Sequence, residues 1–247
     1  AIAANITSPD KLVTIAGTWS INEYISEQPI MDGSIAMNSL FAIPGYYLVE
    51  ECSATSSGNL EWFLENCMEN HRSEDGQSIY EEVNGLVAGI TPDESEVYFL
   101  PFLYGSNAHP LGKGAFIGLT TYHKKAHLLR AIYEGVAFSH KMHIEKLLAT
   151  RESPKAIRMA GGPVRSDVWV QMFADVLGFP IETVSATELG ALGCGMAASV
   201  AAGEYRDYIE AADHMVHVTG IVYPDKERTA VYQKKYEKYC AILKALD

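Results

Sequence analysis

The sequence predicts an α/β fold, because short apolar runs of strand length recur between longer stretches with helical periodicity. The clearest unit is a strand, a glycine turn and a helix within residues 156–178. The chain has 247 residues, of which 48% are hydrophobic, so it has enough apolar side chains for a sizeable core. We therefore expect a globular protein in which strands and helices pack together.

Taken in order, the predicted elements begin with a hairpin. Residues 11–17 form an apolar strand that ends in Gly17-Thr18, and residues 20–25 can return beside it. Polar or glycine-rich stretches predict loops at 69–78 and 104–114. The other strands are predicted at 45–51, 97–103 and 181–184, and the other helices at 60–67, 78–89, 124–148, 188–202 and 226–246. The last helix is rich in Lys and Tyr, so we expect it on the surface.

The strand–turn–helix unit allows two interpretations. Gly161-Gly162 lets the backbone turn sharply and leaves no side chain to keep a ligand away. Ser166 or Asp167 can cap the helix that follows, and a glycine turn that leads to a helix N-terminus can bind an anion such as phosphate. The same arrangement also serves as a plain connection in α/β proteins. The sequence contains neither G-x-G-x-x-G nor G-x-x-x-x-G-K-[ST], which excludes the two commonest nucleotide motifs.

Composition excludes several classes of partner and location. The net charge of −12 argues against binding to nucleic acid or to an anionic membrane surface. The four cysteines include no C-x-x-C pair, and no apolar run approaches the roughly 20 residues of a membrane-spanning helix. The first residues also lack the layout of a signal peptide. We expect a cytoplasmic protein, and the start at Ala1 without a methionine is what a fragment would show.

Two histidine pairs on the predicted helix at 124–148 and just before it raise the question of a metal site. His123 and His127 are four residues apart, and His140 and His143 are three apart. Neither pair belongs to an H-E-x-x-H motif, and histidine pairs on helices more often have structural or surface roles. We therefore expect no metal ligands in this chain.

A longer pattern resembles a known family. Residues 114–134, GAFIGLTTYHKKAHLLRAIYE, match in full the second signature of the FGGY carbohydrate kinases. Other landmarks follow in the family's order: Gly17-Thr18, GNLEWF at 58–63, FLPFLYG at 99–105, GGPVRS at 161–166 and the small-residue stretch ALGCGMAASVAAG. Over essentially its whole length, the chain is similar to the C-terminal domain of such a kinase, and it most resembles the L-xylulose kinase branch.

The resemblance implies a ribonuclease-H-like fold, as in actin and hexokinase, with a mixed sheet flanked by helices. It implies that residues 1–247 are the nucleotide-binding half of a two-domain sugar kinase that transfers the γ-phosphate of ATP, with Mg²⁺, to a ketose, L-xylulose. The N-terminal domain, which carries the catalytic base and most of the sugar pocket in the family, is absent from this chain. We expect the chain alone to be inactive and to bind ATP weakly at best.

The resemblance also assigns the nucleotide's phosphates and ribose to particular residues. Gly17 and Thr18 resemble the family's second phosphate loop, which contacts the β- and γ-phosphates. Ser57 and Glu61 match positions near the ribose and phosphate.

The adenosine end is assigned in the same way. Gly161 and Gly162 resemble the adenosine turn, with Gly162 close to the α-phosphate, and Ser166 matches the position that faces adenine. The family often has Gly or Ala where this chain has Pro163, which has no N–H to donate. None of these residues is the base, so no catalytic residue is expected in this chain.

Alternatives and partners remain open at this point. One alternative is a kinase for another pentulose or hexulose, of the xylulose, ribulose or gluconate type. Another is an actin-like ATP-binding module for interaction or regulation without sugar-kinase activity, although the signature at 114–134 favours a sugar kinase. A nicotinamide enzyme is excluded because its glycine fingerprint is absent. The expected partners are the sugar and the N-terminal domain of the same kinase, and a homodimer is left open.

Overall fold

The computed structural model describes residues 1–68, 78–107, 109, 111–185 and 188–246. The predicted loop at 69–78 lies outside these residues except for Ser78. Within them the strands are β1 (Leu12–Ala16), β2 (Ser20–Ser26), β3 (Met37–Leu40), β4 (Tyr47–Ser53), β5 (Tyr98–Leu100), β6 (Ala115–Ile117), β7 (Ile157–Gly161), β8 (Ile181–Val184) and β9 (Val218–Val222). The α-helices are α1 (Gly58–Cys67), α2 (Ile79–Ala88), α3 (Lys125–Leu148), α4 (Asp167–Leu177), α5 (Leu189–Ala201), α6 (Tyr208–Met215) and α7 (Lys226–Lys244).

One mixed sheet organises the described part of the chain. Its strand order is β3-β4-β2-β1-β7-β8-β9, and β5 and β6 form a separate two-stranded sheet. The β1–β7 and β7–β8 pairs are parallel, and the other neighbours in the large sheet are antiparallel. Helices pack against this sheet, so the α/β prediction is confirmed.

The main core lies between the sheet and α3. This helix is buried along most of its length and packs on β2, β4 and β5 as well as on α1, α2 and α4. Strand side chains alternate between two faces, as a pleated strand requires. Leu12 and Tyr24 point into the main core, whereas Val13 and Ile25 belong to a smaller cluster that also contains Ile6.

The ends of α4 have the capping residues that the sequence predicts. Ser166 is the N-cap, and its hydroxyl accepts a hydrogen bond from the Trp169 N–H at 3.2 Å. Gly178 ends the helix in the left-handed region, with φ of 72°. Between the glycine turn and α4 lies a short 3-10 segment, Gly162–Arg165, so the helix does not follow the turn directly.

Two expectations about elements are wrong in part. The strand predicted at 97–103 extends only over β5, because only Tyr98–Leu100 finds a partner strand. Helix α7 forms as predicted, but it does not simply lie on the surface. One side of it is buried against α4 and the rest of the core, because its tyrosines recur at helical spacing. The buried residues of α7 are Tyr232, Lys235, Tyr236, Tyr239 and Leu243.

Within the described residues, no helix combines the length and apolar character needed to cross a bilayer.

Candidate functional site

The two glycine turns lie side by side at the ends of adjacent parallel strands. In the β1–β7 register, Ala16 lies opposite Gly161, so the Gly17-Thr18 turn adjoins the Gly161-Gly162 turn. Crevices outside the carboxyl ends of parallel strands are where α/β sheets bind ligands. The sheet topology therefore brings together the two turns that the sequence singles out.

Gly161 makes this close approach possible. Its φ is +99°, and a Cβ atom placed there would lie 2.3 Å from the backbone oxygen of Ala16. Any L-residue would be strained at this φ and would also collide with β1. The glycine is thus required by the contact between the two turns, whatever the turns bind.

Ser57 connects the hairpin turn to α1. Its hydroxyl donates to the Gly17 carbonyl at 2.8 Å and to the Ala16 carbonyl at 3.1 Å. The next residue, Gly58, packs beside Thr18, because a Cβ at Gly58 would lie 3.8 Å from the Thr18 Cα, an ordinary van der Waals distance. Because the Ser57 proton is committed to these carbonyls, its oxygen acts toward any ligand as an acceptor rather than as a donor.

A cavity of about 430 Å³ opens next to this junction. Such a volume is in the range of small-molecule sites. Its lining residues come from α1, α2, α3, α4 and the 3-10 segment: Ser57, Leu60, Glu61, Ser78, Tyr80, Glu81, Asn84, Tyr133, Gly162, Pro163, Arg165, Ser166 and Trp169. Four residues predicted for the nucleotide site, Ser57, Glu61, Gly162 and Ser166, are thus brought together. Gly17, Thr18 and Gly161 are not part of the lining.

An aromatic pair forms the inner wall of this cavity. The rings of Tyr133 and Trp169 are stacked, with centroids 3.9 Å apart and an interplanar angle of 15°. The indole N–H of Trp169 donates to the Tyr133 carbonyl at 3.1 Å, which fixes the stack. Burial raises the pKa of the Tyr133 hydroxyl above its ordinary value, so the hydroxyl stays protonated and can donate a hydrogen bond.

The charges on the lining do not favour a phosphate in this part of the site. Two carboxylates, Glu61 and Glu81, line the cavity together with one guanidinium, Arg165. Burial, and after it the neighbouring Glu61 carboxylate, raises the pKa of Tyr80. An uncharged aromatic group suits this environment better than a phosphate does. A phosphorylated ligand would therefore direct its phosphates away from the aromatic wall.

A buried polar network lies behind the hairpin. The Nδ1 atom of His140 is 2.9 Å from Thr14 Oγ1 and 3.2 Å from Ser20 Oγ, and its Nε2 atom is 2.8 Å from Ser56 Oγ. Burial lowers the pKa of His140 to about 3, so the imidazole is neutral at physiological pH. Ser20 follows the Gly17-Thr18 turn, and Ser56 precedes Ser57. The hydrogen bonds of His140 therefore hold both segments in place.

His143 belongs to a second chain of hydrogen bonds. Its Nε2 atom is 2.8 Å from Ser53 Oγ, and its Nδ1 atom is 2.9 Å from Glu51 Oε2. The order Ser-His-Glu is that of a hydrolase triad. However, all three residues are almost completely buried, and Ser53 Oγ also accepts from the Asn107 N–H at 3.1 Å. No substrate can reach this serine, so the arrangement is structural.

His140 and His143 are thus fully buried and hydrogen-bonded within the fold. Across the part of the chain that the structure describes, no group of three or more His, Cys, Asp or Glu residues could hold a metal ion. His123 and His127 contact each other edge to face with ring centroids 5.4 Å apart.

Several residues of the cavity were not predicted from the sequence. Tyr133 lies inside the quoted signature at 114–134, and Trp169 lies three residues after GGPVRS at 161–166, but their apolar spacing indicated only burial. Asn84 and Tyr80 lie on α2 in a stretch without a motif. Their position in the site depends on the packing of α2 beside α3 and α4, which local sequence does not reveal.

Comparisons with known proteins show which family the chain is similar to. Residues 12–202 match the FGGY family of carbohydrate kinases, C-terminal domain. L-xylulose/3-keto-L-gulonate kinase of Escherichia coli strain K12 is 37% identical over 248 residues. A probable L-xylulose kinase of Pasteurella multocida is 36% identical over 250 residues. The structure of a ligand-bound xylulose kinase from Lactobacillus acidophilus matches with a TM-score of 0.83 at 26% identity.

These matches cover different shares of this chain and of the proteins that it matches. The alignments with the E. coli and P. multocida proteins span 100% of this chain but 48% of each relative. The L. acidophilus match covers 99% of this chain and 49% of that structure. The chain thus spans about half the length of the relatives it matches, and the expected sugar-kinase fold, ribonuclease-H-like with a mixed sheet, is confirmed.

Proposed function

The chain belongs to the FGGY family of carbohydrate kinases, as a C-terminal domain, and we propose that it is the nucleotide-binding half of an ATP-dependent ketose kinase. One observation carries the proposal: the β1–β7 junction places two glycine turns beside a cavity with an aromatic wall. The cavity would hold the adenosine of MgATP, and the Gly17-Thr18 turn would lie near the β- and γ-phosphates.

The sugar we propose is L-xylulose. This choice is supported by the relatives at 36–37% identity, which are named as an L-xylulose/3-keto-L-gulonate kinase and a probable L-xylulose kinase. Family members named as ribulokinase and xylulose kinase are 28% and 32% identical, the latter over 62% of this chain. We propose that the other half of the kinase supplies the catalytic base and most of the sugar pocket. The reaction would take place in the cytoplasm, where ATP is available.

In the proposed reaction, this half of the kinase positions the ATP. Phosphoryl transfer needs in-line alignment and stabilisation of the charge that spreads over the transferred group. Mg²⁺ would enter with ATP and neutralise part of this charge. The Gly17 and Thr18 backbone and the Thr18 hydroxyl would hold the phosphates, while Gly162 and Ser166 would hold the adenosine. Closure of the two halves would then exclude water, which would otherwise hydrolyse ATP.

A substrate screen tests the proposal. ADP release by the full-length kinase is measured with L-xylulose, D-xylulose, ribulose, 3-keto-L-gulonate and gluconate, with a reaction lacking sugar as the control. We expect L-xylulose to be among the better substrates. A clear preference for another sugar would show that the L-xylulose assignment is wrong, but the proposal of a sugar kinase would stand. Nucleotide binding without any sugar-dependent turnover would support an actin-like module instead.

Thr18→Val tests the role of the hairpin turn in the same enzyme. Valine keeps the size of threonine and removes the hydroxyl. Thr18 is exposed, so the substitution should leave the fold intact. We expect kcat to fall by roughly tenfold or more, as when one transition-state donor is lost. Unchanged turnover would exclude a phosphate contact by this hydroxyl.

A further inference from the structure

Helix α2 presents Asn84 to the cavity that Tyr133 and Trp169 also line. Val83 and Val87 are fully buried and hold α2 against the core, while Tyr80, Glu81 and Asn84 line the cavity. The spacing of Tyr80 and Asn84, four residues apart, places both on the same helix face. Asn84 is only partly buried, so its amide is accessible from the cavity.

The oxygen of this amide is already saturated. Asn84 Oδ1 accepts a hydrogen bond from the Tyr133 hydroxyl at 2.9 Å and another from the Ser166 hydroxyl at 2.6 Å. Ser166 Oγ itself accepts from the Trp169 N–H at 3.2 Å, so its own proton is free for Asn84. Since an amide oxygen has two lone pairs, two hydroxyl donors fill it. They also fix which way the amide points.

The nitrogen of the same amide can donate hydrogen bonds to a ligand. Asn84 Nδ2 carries two N–H groups, and none of the described residues accepts a hydrogen bond from it within the site. Tyr133 and Ser166 thus turn the amide so that its acceptor faces protein and its donors face the cavity. A ligand group that contacts Asn84 must therefore be an acceptor. An exocyclic amino group, which needs an acceptor, would not be recognised here.

The rest of the cavity selects the kind of acceptor. The Tyr133–Trp169 stack lines the cavity, and the nearby carboxylates of Glu61 and Glu81 disfavour an anion. In the adenine of the proposed nucleotide, the uncharged acceptors on the flat ring are its ring nitrogens. We infer that Asn84 is the base-recognition residue of this cavity and donates a hydrogen bond from Nδ2 to a purine ring nitrogen. The inference rests on the proposed function, since it requires a nucleotide here.

Deaza analogues of ATP test this contact atom by atom. Binding of ATP, 1-deaza-ATP, 3-deaza-ATP and 7-deaza-ATP to the full-length kinase is measured by calorimetry, for the wild type and for Asn84→Asp. Each analogue replaces one ring nitrogen by C–H and so removes one acceptor. In the wild type we expect one of the analogues to bind roughly tenfold more weakly than ATP. In Asn84→Asp we expect that ratio to fall to about one, because the donor is gone.

Asn84→Asp is chosen because it keeps the rest of the network. An aspartate oxygen can still accept from the Tyr133 and Ser166 hydroxyls, so the wall should remain in place. Its added charge weakens binding of ATP and of all the analogues alike, and this effect cancels in the ratio. Tyr133→Phe is the matched control, because it perturbs the same network but keeps the Asn84 donor and the ring stack. We expect the ratio to persist in this control.

The outcomes separate the two proposals. If the wild type binds ATP but the analogue ratio is the same in Asn84→Asp, the role of Asn84 is overturned and the proposed function stands. The same holds if the ratio is lost in Tyr133→Phe and kept in Asn84→Asp, or if no analogue binds more weakly than ATP to the wild type. If the wild type does not bind ATP at all, both proposals fail.

Discussion

Gly161, in the turn beside the candidate site, has little freedom to change. Its positive φ would strain a side chain, and the contact with β1 would also repel it. The neighbouring Gly162 is different, because its φ is not positive and a Cβ there would lie 3.9 Å from its nearest atom, Ser57 Oγ. The two glycines of one turn thus allow a matched comparison.

We expect Gly161→Ala to lower the free energy of unfolding by about 2–4 kcal/mol, from backbone strain and overpacking against Ala16. Gly162→Ala should change it by less than about 1 kcal/mol. Urea unfolding followed by circular dichroism measures both. Equal losses in the two variants would contradict the assignment of the clash to Gly161.

His140 gives the fold a dependence on pH. Its pKa is lowered by burial to about 3 in the folded state, against about 6.5 in an unfolded chain. Between these values the unfolded chain binds one more proton than the folded chain does. Stability is therefore complete above the unfolded pKa and is lost as the pH falls toward the folded pKa, with a slope near 1.4 kcal/mol per pH unit.

The measurement is urea unfolding between about pH 4.5 and 7.5, a window set by the unfolded pKa of histidine. Carboxylates also titrate in this range, so the wild type is compared with His140→Gln. We expect the variant to be less stable at pH 7 and to lose stability less steeply as the pH falls. Parallel curves for the two proteins would show that His140 does not titrate in this way.

At the scale of elements, α3 and α7 are joined by a buried charge cluster. Glu134 of α3 pairs with Arg130 at 2.8 Å and with Lys235 of α7 at 2.5 Å, and all three are nearly buried. Arg130 also donates to the Tyr232 hydroxyl at 2.6 Å. The second-signature residues thus anchor the C-terminal helix, which explains why α7 is more buried than its composition predicts.

Removing the central carboxylate should therefore be costly. For Glu134→Gln we expect a loss of about 3 kcal/mol in the free energy of unfolding, because two buried cations lose their partner. The control is Glu82→Gln, which breaks the exposed Glu82–Lys125 pair at 2.9 Å and should cost less than about 1 kcal/mol. Both are measured by urea unfolding at neutral pH. A loss for Glu134→Gln no larger than that of the control would refute the anchoring role.

Elements with local signals could be predicted from the sequence, and others could not. The ends of α4 are marked by Ser166 and Gly178, and the start of α2 is marked by Ser78, whose hydroxyl accepts from the Tyr80 N–H. Strands β3 and β9 were not predicted, because they lie at the two edges of the sheet and are mostly exposed, without an apolar alternation. Their pairing is decided by the neighbouring strand.

The same distinction applies to the site. The glycine turns were predicted, because the need for glycine is a local property of the backbone. Asn84 was not, because its place in the cavity depends on hydrogen bonds to Tyr133 and Ser166, 49 and 82 residues away in the chain. Side chains that come together from separate helices form no short motif in the sequence.

At the scale of the whole molecule, the important feature is which groups the described residues bring to the site. The cavity and its turns offer backbone groups, hydroxyls and an aromatic wall, and the carboxylates Glu61 and Glu81 lie on the cavity rather than on the Gly17-Thr18 turn. A base for a sugar hydroxyl would have to act beside the γ-phosphate. The chain also spans about half the length of its relatives. Both observations favour a reaction that is completed by a second domain.

We therefore expect the isolated chain to show no sugar-dependent ADP release, and to bind ATP more weakly than the full-length kinase does. The physical reason is that, in the proposed two-domain kinase, closure of the two halves would supply the base, exclude water and add contacts to the phosphates. Calorimetry with ATP and an ADP-release assay with L-xylulose, run in parallel on both proteins, measure this difference. The inactive result counts only if circular dichroism shows that the isolated chain is folded. Sugar phosphorylation by the folded chain alone would refute the two-domain proposal.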